Sequence, residues 1–362
     1  MKNKLMFLIG LVLIIGFMTG CGSDTTNSSA PANSSNTEIK EETKSSEPTS
    51  KEIKDLKVSF VPSRDPEEII TMTEPLKELL TNELANLGYD VKNVEINVGT
   101  TYEAVGEALS AGTTDVGLIP GGTYVLYDDG AEVILTATRA GLSNDSNKAK
   151  DWNANKPTTA TDSQATYYRS IFIAGPSAKG QELAEKVNSG QELTWEDLNS
   201  ASWAVMSSSS SAGYIYPTLW LQDKFGKSLT DLSQIVQSDS YGSSFARLAA
   251  GQADIIVAYA DARRDNEAKW TTDFSRSESI WEETNVIAVT QPIFNDTVSV
   301  SKNSSIIDDG LKAAIQQAFI NIAQTEEGKN VISIYSHQGY QKATSSDYDG
   351  EREAQAFLKS LK

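Results

Sequence analysis

Two segments of this chain, LSAGTTDVGLI (Leu109 to Ile119) and LAAGQADIIVA (Leu248 to Ala258), share the pattern Leu-x-Ala-Gly-x-x-Asp followed by an apolar run. Each reads as a helix end, a glycine cap and a buried strand. A tyrosine precedes the aspartate by thirteen residues in both, Tyr102 before Asp115 and Tyr241 before Asp254, near the start of the helix. The repeat predicts two lobes of related design. Each places a tyrosine at the strand-to-helix edge, where open α/β sheets bind ligands. The alternative is that Ala-Gly-x-x-Asp is a common helix-to-strand junction and the tyrosines coincide.

The segments around the repeat have the same rhythm. Lys57 to Val61 reads as a strand, and Leu76, Leu79, Leu80, Leu84 and Leu87 recur at helical spacing between Pro75 and Gly88. Val94, Ile96 and Val98 alternate as in a strand, Thr194 is placed to cap a helix, and Trp203 to Met206 is strand-like. Strands alternating with helices indicate an α/β fold with a largely parallel sheet.

The N-terminus reads as an address rather than as part of the fold. Lys2 and Lys4 precede an uncharged apolar run, Leu5 to Met18, which as a helix would span only about 21 Å, short of a bilayer core. Met18-Thr19-Gly20-Cys21 ends on the chain's single cysteine and resembles the bacterial lipobox, so residues 1–20 are expected to be a signal peptide and Cys21 the lipidated residue. Residues 21–52, rich in Ser, Thr, Asn, Glu and Lys, bury too little surface to fold and read as a tether. The formal charge is −18, two units more negative once Lys2 and Lys4 are removed. That balance argues against nucleic acid, whose binders carry basic patches. It does not exclude a small anion held by backbone N–H groups and hydroxyls.

The run Ser207 to Ser211 differs from the tether serines. It leaves the Trp203–Met206 strand and enters a helix holding Ile215, Leu219 and Trp220. Small residues there let the backbone approach a ligand, and the free N–H groups of a helix start suit an oxyanion. A run of caps and turn residues without a ligand is the alternative.

SSAGYIYP resembles the Ser-Thr-Ser-Gly-aromatic-x-x-Pro signature of the PhnD-like phosphonate, phosphite and phosphate ABC-transporter substrate-binding proteins. TTYEAVGEALSAGTTDVGLIPGGTY, YYRSIFIAG, SYGSSFARLAAGQADIIVAYAD, QPIFNDTVSV and HQGYQKATSSDYD extend the likeness over residues 55–355. The resemblance implies a type II periplasmic-binding-protein-like α/β fold, with two lobes joined by crossover strands and a ligand cleft between them. Lobe 1 would comprise residues 53–166 and 290–362, and lobe 2 residues 167–289. It implies a monomer that passes a small anionic ligand to ABC permease subunits, and the lipobox and long tether add an expected lipid anchor on the outer face of the plasma membrane of a Gram-positive cell.

Carried over residue by residue, the resemblance gives Tyr102 and Tyr124 as ligand-facing tyrosines of lobe 1. Ser210 and Ser211 correspond to the hydroxyls that hold phosphoryl oxygens, and Ala212 stands where a third is usual. Tyr241 replaces a common histidine, Asp261 matches the acidic position that meets a ligand amine in aminoethylphosphonate binders, and Asp296 matches an aspartate near the phosphoryl group. Asp261 could instead pair with Arg263 or Arg264. Arg169, beside a ligand-facing segment, could equally be a surface residue. A carboxylate at Asp296 would favour a ligand oxygen that carries a proton.

Two rival readings remain. The same fold could take a thiamine precursor or an organosulfonate. A lipid-anchored serine hydrolase would need a base, and His337 is the only histidine. No Gly-x-Ser-x-Gly elbow or His/Cys cluster is present, so no catalytic residue, metal or cofactor is expected.

Overall fold

The computed structural model describes residues 50–360. The expected signal peptide, Cys21 and all of the expected tether except its last residues lie outside them. Among the described residues no helix is long and apolar enough to cross a membrane.

Among the described residues twelve strands form two sheets: β1 (Lys51–Phe60), β2 (Tyr89–Val98), β3 (Val116–Ile119), β4 (Ala131–Leu142), β5 (Ala160–Ala165), β6 (Tyr167–Ala174), β7 (Trp203–Val205), β8 (Ile235–Gln237), β9 (Ile255–Tyr259), β10 (Asn285–Phe294), β11 (Thr297–Ser301) and β12 (His337–Lys342). The first sheet has the order β12-β4-β11-β3-β1-β2, with β5 on β4, and the second has the order β10-β6-β9-β7-β8. In each, a central strand is flanked by two parallel partners, β1 between β2 and β3, and β7 between β8 and β9. Antiparallel strands complete both sheets. This is a mixed α/β architecture of two lobes, less parallel than the strand–helix rhythm predicts. The chain passes from the first sheet to the second between β5 and β6 and returns between β10 and β11. Asn295 ties the two passages together: its N–H donates to Thr166 O at 2.9 Å, and its side-chain amide donates to Ala137 O and Ala165 O.

The repeated Ala-Gly-x-x-Asp motif has one structural meaning in both lobes. The helix Tyr102–Ala111 starts at Thr101, whose hydroxyl accepts from Ala104 N–H; the helix Tyr241–Ala249 starts at Ser240, which accepts from Ser243 N–H. Gly112 and Gly251 follow with φ of +78° and +69°. Each aspartate then clasps the neighbouring strand. The Asp115 N–H donates to Lys57 O and its carboxylate accepts from Lys57 N–H; the Asp254 N–H donates to Ser202 O and its carboxylate accepts from Ser202 N–H. A β-carbon at Gly251 would meet nothing within 4 Å, so Gly251→Ala should cost only the left-handed backbone penalty, about 1–2 kcal/mol, read by denaturant unfolding. An unchanged midpoint would contradict the cap.

Other elements form for the reasons read in the sequence. The helix Leu76–Asn86 buries Leu76, Leu80 and Leu84 behind Pro75 and is followed by Gly88 at φ +89°. Thr194 and Asp197 form a reciprocal capping box. The first strand begins earlier than expected, at Lys51, inside the stretch assigned to the tether. Its opening Lys-Glu-Ile-Lys-Asp-Leu buries only Ile53 and Leu56, and pairing with Tyr89–Val94 of β2, rather than burial, holds it.

Candidate functional site

A cavity lies where the two lobes meet, between the strand ends of the first sheet and the starts of the two repeated helices. Tyr102 and Tyr241, first residues of those helices, face each other across it. Ser210 and Ala212 enter it from the serine turn, and Asp296 enters from the return crossover. The volume inside that a water centre can occupy is about 40 Å³, enough for roughly three waters at about 10–15 Å³ each. Such a space fits a compact oxyanion.

The serine turn is built locally. From β7 the chain makes a turn over Ser207–Ser210 and enters a π-helical turn, Ser211–Ile215, that runs into the helix Tyr216–Phe225. The Ser210 hydroxyl accepts from Gly213 N–H at 3.2 Å and lies 3.3 Å from the Tyr241 hydroxyl. Burial raises Tyr102 and Tyr241 above the ordinary phenol range, so both are neutral donors. Tyr168, Tyr259 and Tyr335 complete the aromatic wall and are raised by burial in the same way.

Two arginines line the cavity, and neither is among the residues singled out in the sequence. Arg64 follows β1, with Nη2 donating to Asp265 at 2.7 Å and Nε donating to Ile334 O. Arg139 projects from β4 and is 5% exposed. Its Nε donates to Asn295 Oδ1 at 3.0 Å and its Nη2 to Asp296 at 3.2 Å, while Nη1 stands 3.7 Å from Asp261 with no hydrogen-bond partner. Its guanidinium also lies 4.4 Å from the ring centroid of Tyr168. Both had a visible signal. Arg64 sits just past a strand end, where α/β sheets bind ligands, and Arg139 is the one charged residue in the run Val133–Leu142.

Asp296 is an ionised member of this set. Burial alone would raise its carboxyl, but His337 and Arg139 together outweigh it and hold Asp296 below the ordinary carboxylate range. His337 Nε2 lies 3.3 Å from Asp296 and Nδ1 lies 3.4 Å from the Tyr340 hydroxyl. Burial lowers the His337 pKa, and its ring is neutral. No serine hydroxyl among the described residues bonds this imidazole, so the geometry a serine nucleophile needs is missing. No group of carboxylates, histidines and cysteines suited to a metal occurs among the described residues.

The structure thus gathers Tyr102, Ser210, Ala212, Tyr241 and Asp296 around one cavity and places Tyr124, Ser211 and Asp261 outside its lining. Tyr124 packs edge to face on Tyr348 at 5.4 Å, with its hydroxyl on Ser345. Ser211, entering the widened turn, faces the first lobe, accepting from Gly122 N–H at 3.0 Å and donating to Glu351. Asp261 is 4% exposed and directs its oxygens at Arg264, 2.9 Å away, and at Arg139. Two guanidiniums already occupy the carboxyl expected to meet a ligand amine. Arg169 pairs with Asp145 at 2.7 Å, away from the cavity.

A two-lobed α/β fold with a small cavity at the lobe interface, its wall largely apolar and set with a few hydroxyl, guanidinium and carboxylate groups, is the architecture of a solute-binding protein. Residues 58–348 match the family described as ABC transporter, phosphonate, periplasmic substrate-binding protein, and the chain belongs to that family. Its members are substrate-binding components of transporters rather than enzymes. Solved structures share the fold. A binding protein component of an ABC phosphonate transporter from Pseudomonas aeruginosa aligns at 15% identity and TM-score 0.62, over 84% of this chain and 86% of that one. PhnD1 from Prochlorococcus marinus, in complex with methylphosphonate, aligns at 15% identity and TM-score 0.61, over 86% and 99%. Mh-p37 of Mycoplasma hyorhinis, a putative thiamine pyrophosphate transporter, aligns at 14% identity and TM-score 0.56, over 81% and 95%. No curated protein matches the chain.

Proposed function

We propose that this protein captures a compact phosphorus oxyanion of the phosphonate or phosphite type, bearing no amine, and delivers it to an ABC permease. The observation that carries this reading is the cavity itself. It combines two arginines and neutral tyrosine and serine hydroxyls with room for only a few waters. Neutral donors and guanidinium groups favour an anion, and each hydrogen bond to a charged ligand contributes about 1.5–3 kcal/mol. The ionised Asp296 repels a dianion and accepts from a protonated ligand oxygen, which favours the singly charged form. A diphosphate with two aromatic rings attached exceeds the space.

The amine is excluded because Asp261 is engaged by Arg139 and Arg264. The N-terminal reading completes the proposal: Cys21 carries the lipid, and residues 22–50 tether a monomeric receptor to the outer face of the plasma membrane of a Gram-positive cell. The second lobe closing on the first, with the crossovers at Thr166 and Asn295 as hinges, would enclose the ligand.

Thermal unfolding with phosphite, phosphate, methylphosphonate, 2-aminoethylphosphonate, methanesulfonate and thiamine diphosphate tests this. A ligand at a hundred times its dissociation constant stabilises the fold by about 2.7 kcal/mol. Phosphite and methylphosphonate should raise the melting temperature, and 2-aminoethylphosphonate should act less than methylphosphonate. A shift with methanesulfonate or thiamine diphosphate alone would discard the phosphonate assignment.

A further inference from the structure

Glu351 lies on the C-terminal helix Asp349–Ser360, which packs against the helix Gly121–Tyr124 of its own lobe and against the serine turn and the helix Tyr216–Phe225 of the other. The residue is 1% exposed. Its Oε2 accepts from the Ser211 hydroxyl at 3.3 Å, and its Oε1 has no hydrogen-bond partner among the described residues. The Ser211 oxygen in turn accepts from Gly122 N–H. One serine of the second lobe is therefore held by two groups of the first, between Ser210 and Ala212, which face the cavity.

Among the described residues no cation compensates this carboxyl. The adjacent Arg352 turns away to Asp128, Asp349 and Ser345. Gly121–Tyr124 brings no charge, and the second lobe brings the Tyr216 phenol, which borders the carboxyl and is itself raised by burial. Tyr168 and Tyr348, whose ionisation Glu351 opposes, are also neutral. The charged group that acts on Glu351 is Asp296, another anion. Burial, with Asp296 adding to it and Tyr216 and Ser211 only partly opposing, pushes the Glu351 carboxyl up to about 8.

We propose that Glu351 is a positioning residue for ligand capture: as a neutral carboxylic acid it holds the Ser211 end of the anion-facing turn against the first lobe, and lobe closure takes up a proton there. The inference rests on the receptor reading above. When the lobes part, the carboxyl meets water and returns to the ordinary glutamate value of about 4.3. The open form is then ionised, and the closed form protonated, between about pH 5 and pH 8. Its contribution to closure is fully present below the open-form value and is lost as pH rises towards the closed-form value. Affinity should fall by up to about tenfold per pH unit across that window and level off above it.

Calorimetric titration with methylphosphonate at pH 6, 7, 8 and 9, on the wild type and on Glu351→Gln, tests the proposal. Ionisation of the ligand is common to both proteins, so the ratio of their dissociation constants isolates residue 351. The wild-type constant should rise relative to the variant by about tenfold or more between pH 6 and pH 8; a ratio independent of pH would overturn the proposal. A second measurement needs no variant. At pH 6, where methylphosphonate is chiefly a monoanion, wild-type binding heats in two buffers of different ionisation enthalpy should report close to one proton taken up, and none would overturn it. Failure of the wild type to bind methylphosphonate or phosphite at any pH would instead overturn the receptor reading.

Discussion

Replacing Arg139 with methionine is expected to lower the unfolding free energy by about 3–5 kcal/mol and to abolish measurable capture of methylphosphonate. Methionine fills much of the space of the arginine stem, so the loss is electrostatic more than steric. Arg139 is the cation between Asp296 and Asp261, and its removal leaves two buried carboxyls facing each other with fewer donors. Asn295 Oδ1 at the return crossover also loses a donor. The large cost comes from breaking a buried pair on one side only. A simultaneous Asp296→Asn change should therefore recover part of the stability but not the binding.

The acid limb of the stability profile offers a check. A carboxyl held below its ordinary value stabilises the fold above about pH 4 and loses that contribution as pH falls through the depressed value. Part of this dependence belongs to Asp296 and should vanish with Arg139, while the part owed to His337 remains. Denaturant unfolding between pH 3 and 7 reads both effects. A loss below about 1 kcal/mol would show that the carboxyls are neutral in the fold and that Arg139 does little to hold them.

What the sequence disclosed follows from periodicity. The repeated Leu-x-Ala-Gly-x-x-Asp segments announced two related lobes because a helix cap, a strand entry and a strand-clasping aspartate each leave a local signature. Tyr102 and Tyr241 were reachable for the same reason, since a helix start fixes which residue points to the sheet edge. The arginines left only a weak mark, a place past a strand end and a lone charge in an apolar run, because an arginine is a surface residue by default and nothing local shows that Asp265 lies beside Arg64 or Asp296 beside Arg139. These pairs join residues 201 and 157 positions apart. Glu351 was hidden in a similar way. In Asp-Gly-Glu-Arg-Glu it looks like solvated helix charge, and only the packing of that helix against the serine turn buries it. Ser211 carries a subtler lesson. Neighbouring hydroxyls in a serine run look equivalent in sequence, yet entry into a π-helical turn leaves Ser210 on the cavity and directs Ser211 to the opposite lobe.

Gly122→Val is expected to weaken ligand binding by roughly a hundredfold while leaving each lobe folded. Gly122 belongs to the first lobe, but what a side chain there would strike belongs to the second. A β-carbon would lie 2.3 Å from Ile215 Cδ1, 2.9 Å from Ser209 O and 3.0 Å from Ser211 Oγ. Ile215 could change rotamer, but the Ser209 carbonyl is backbone of the anion-facing turn and cannot yield without moving that turn. Overpacking of this kind costs about 1–3 kcal/mol, and here the cost falls on closure because the clash exists only where the lobes meet. The added bulk also displaces the Gly122 N–H from Ser211 and the neighbouring Thr123 hydroxyl from Ser209. Closure would lose bonds as well as gain a clash. With about 3 kcal/mol opposing the closed state, the dissociation constant rises by roughly two orders of magnitude, chiefly through faster release. Titration calorimetry gives the constant, and scattering of X-rays in solution with and without saturating ligand shows whether the variant still contracts. Wild-type affinity with normal contraction would mean that the lobes need not touch at Gly122 to hold the ligand, and the cavity would then close by some other approach of the two halves.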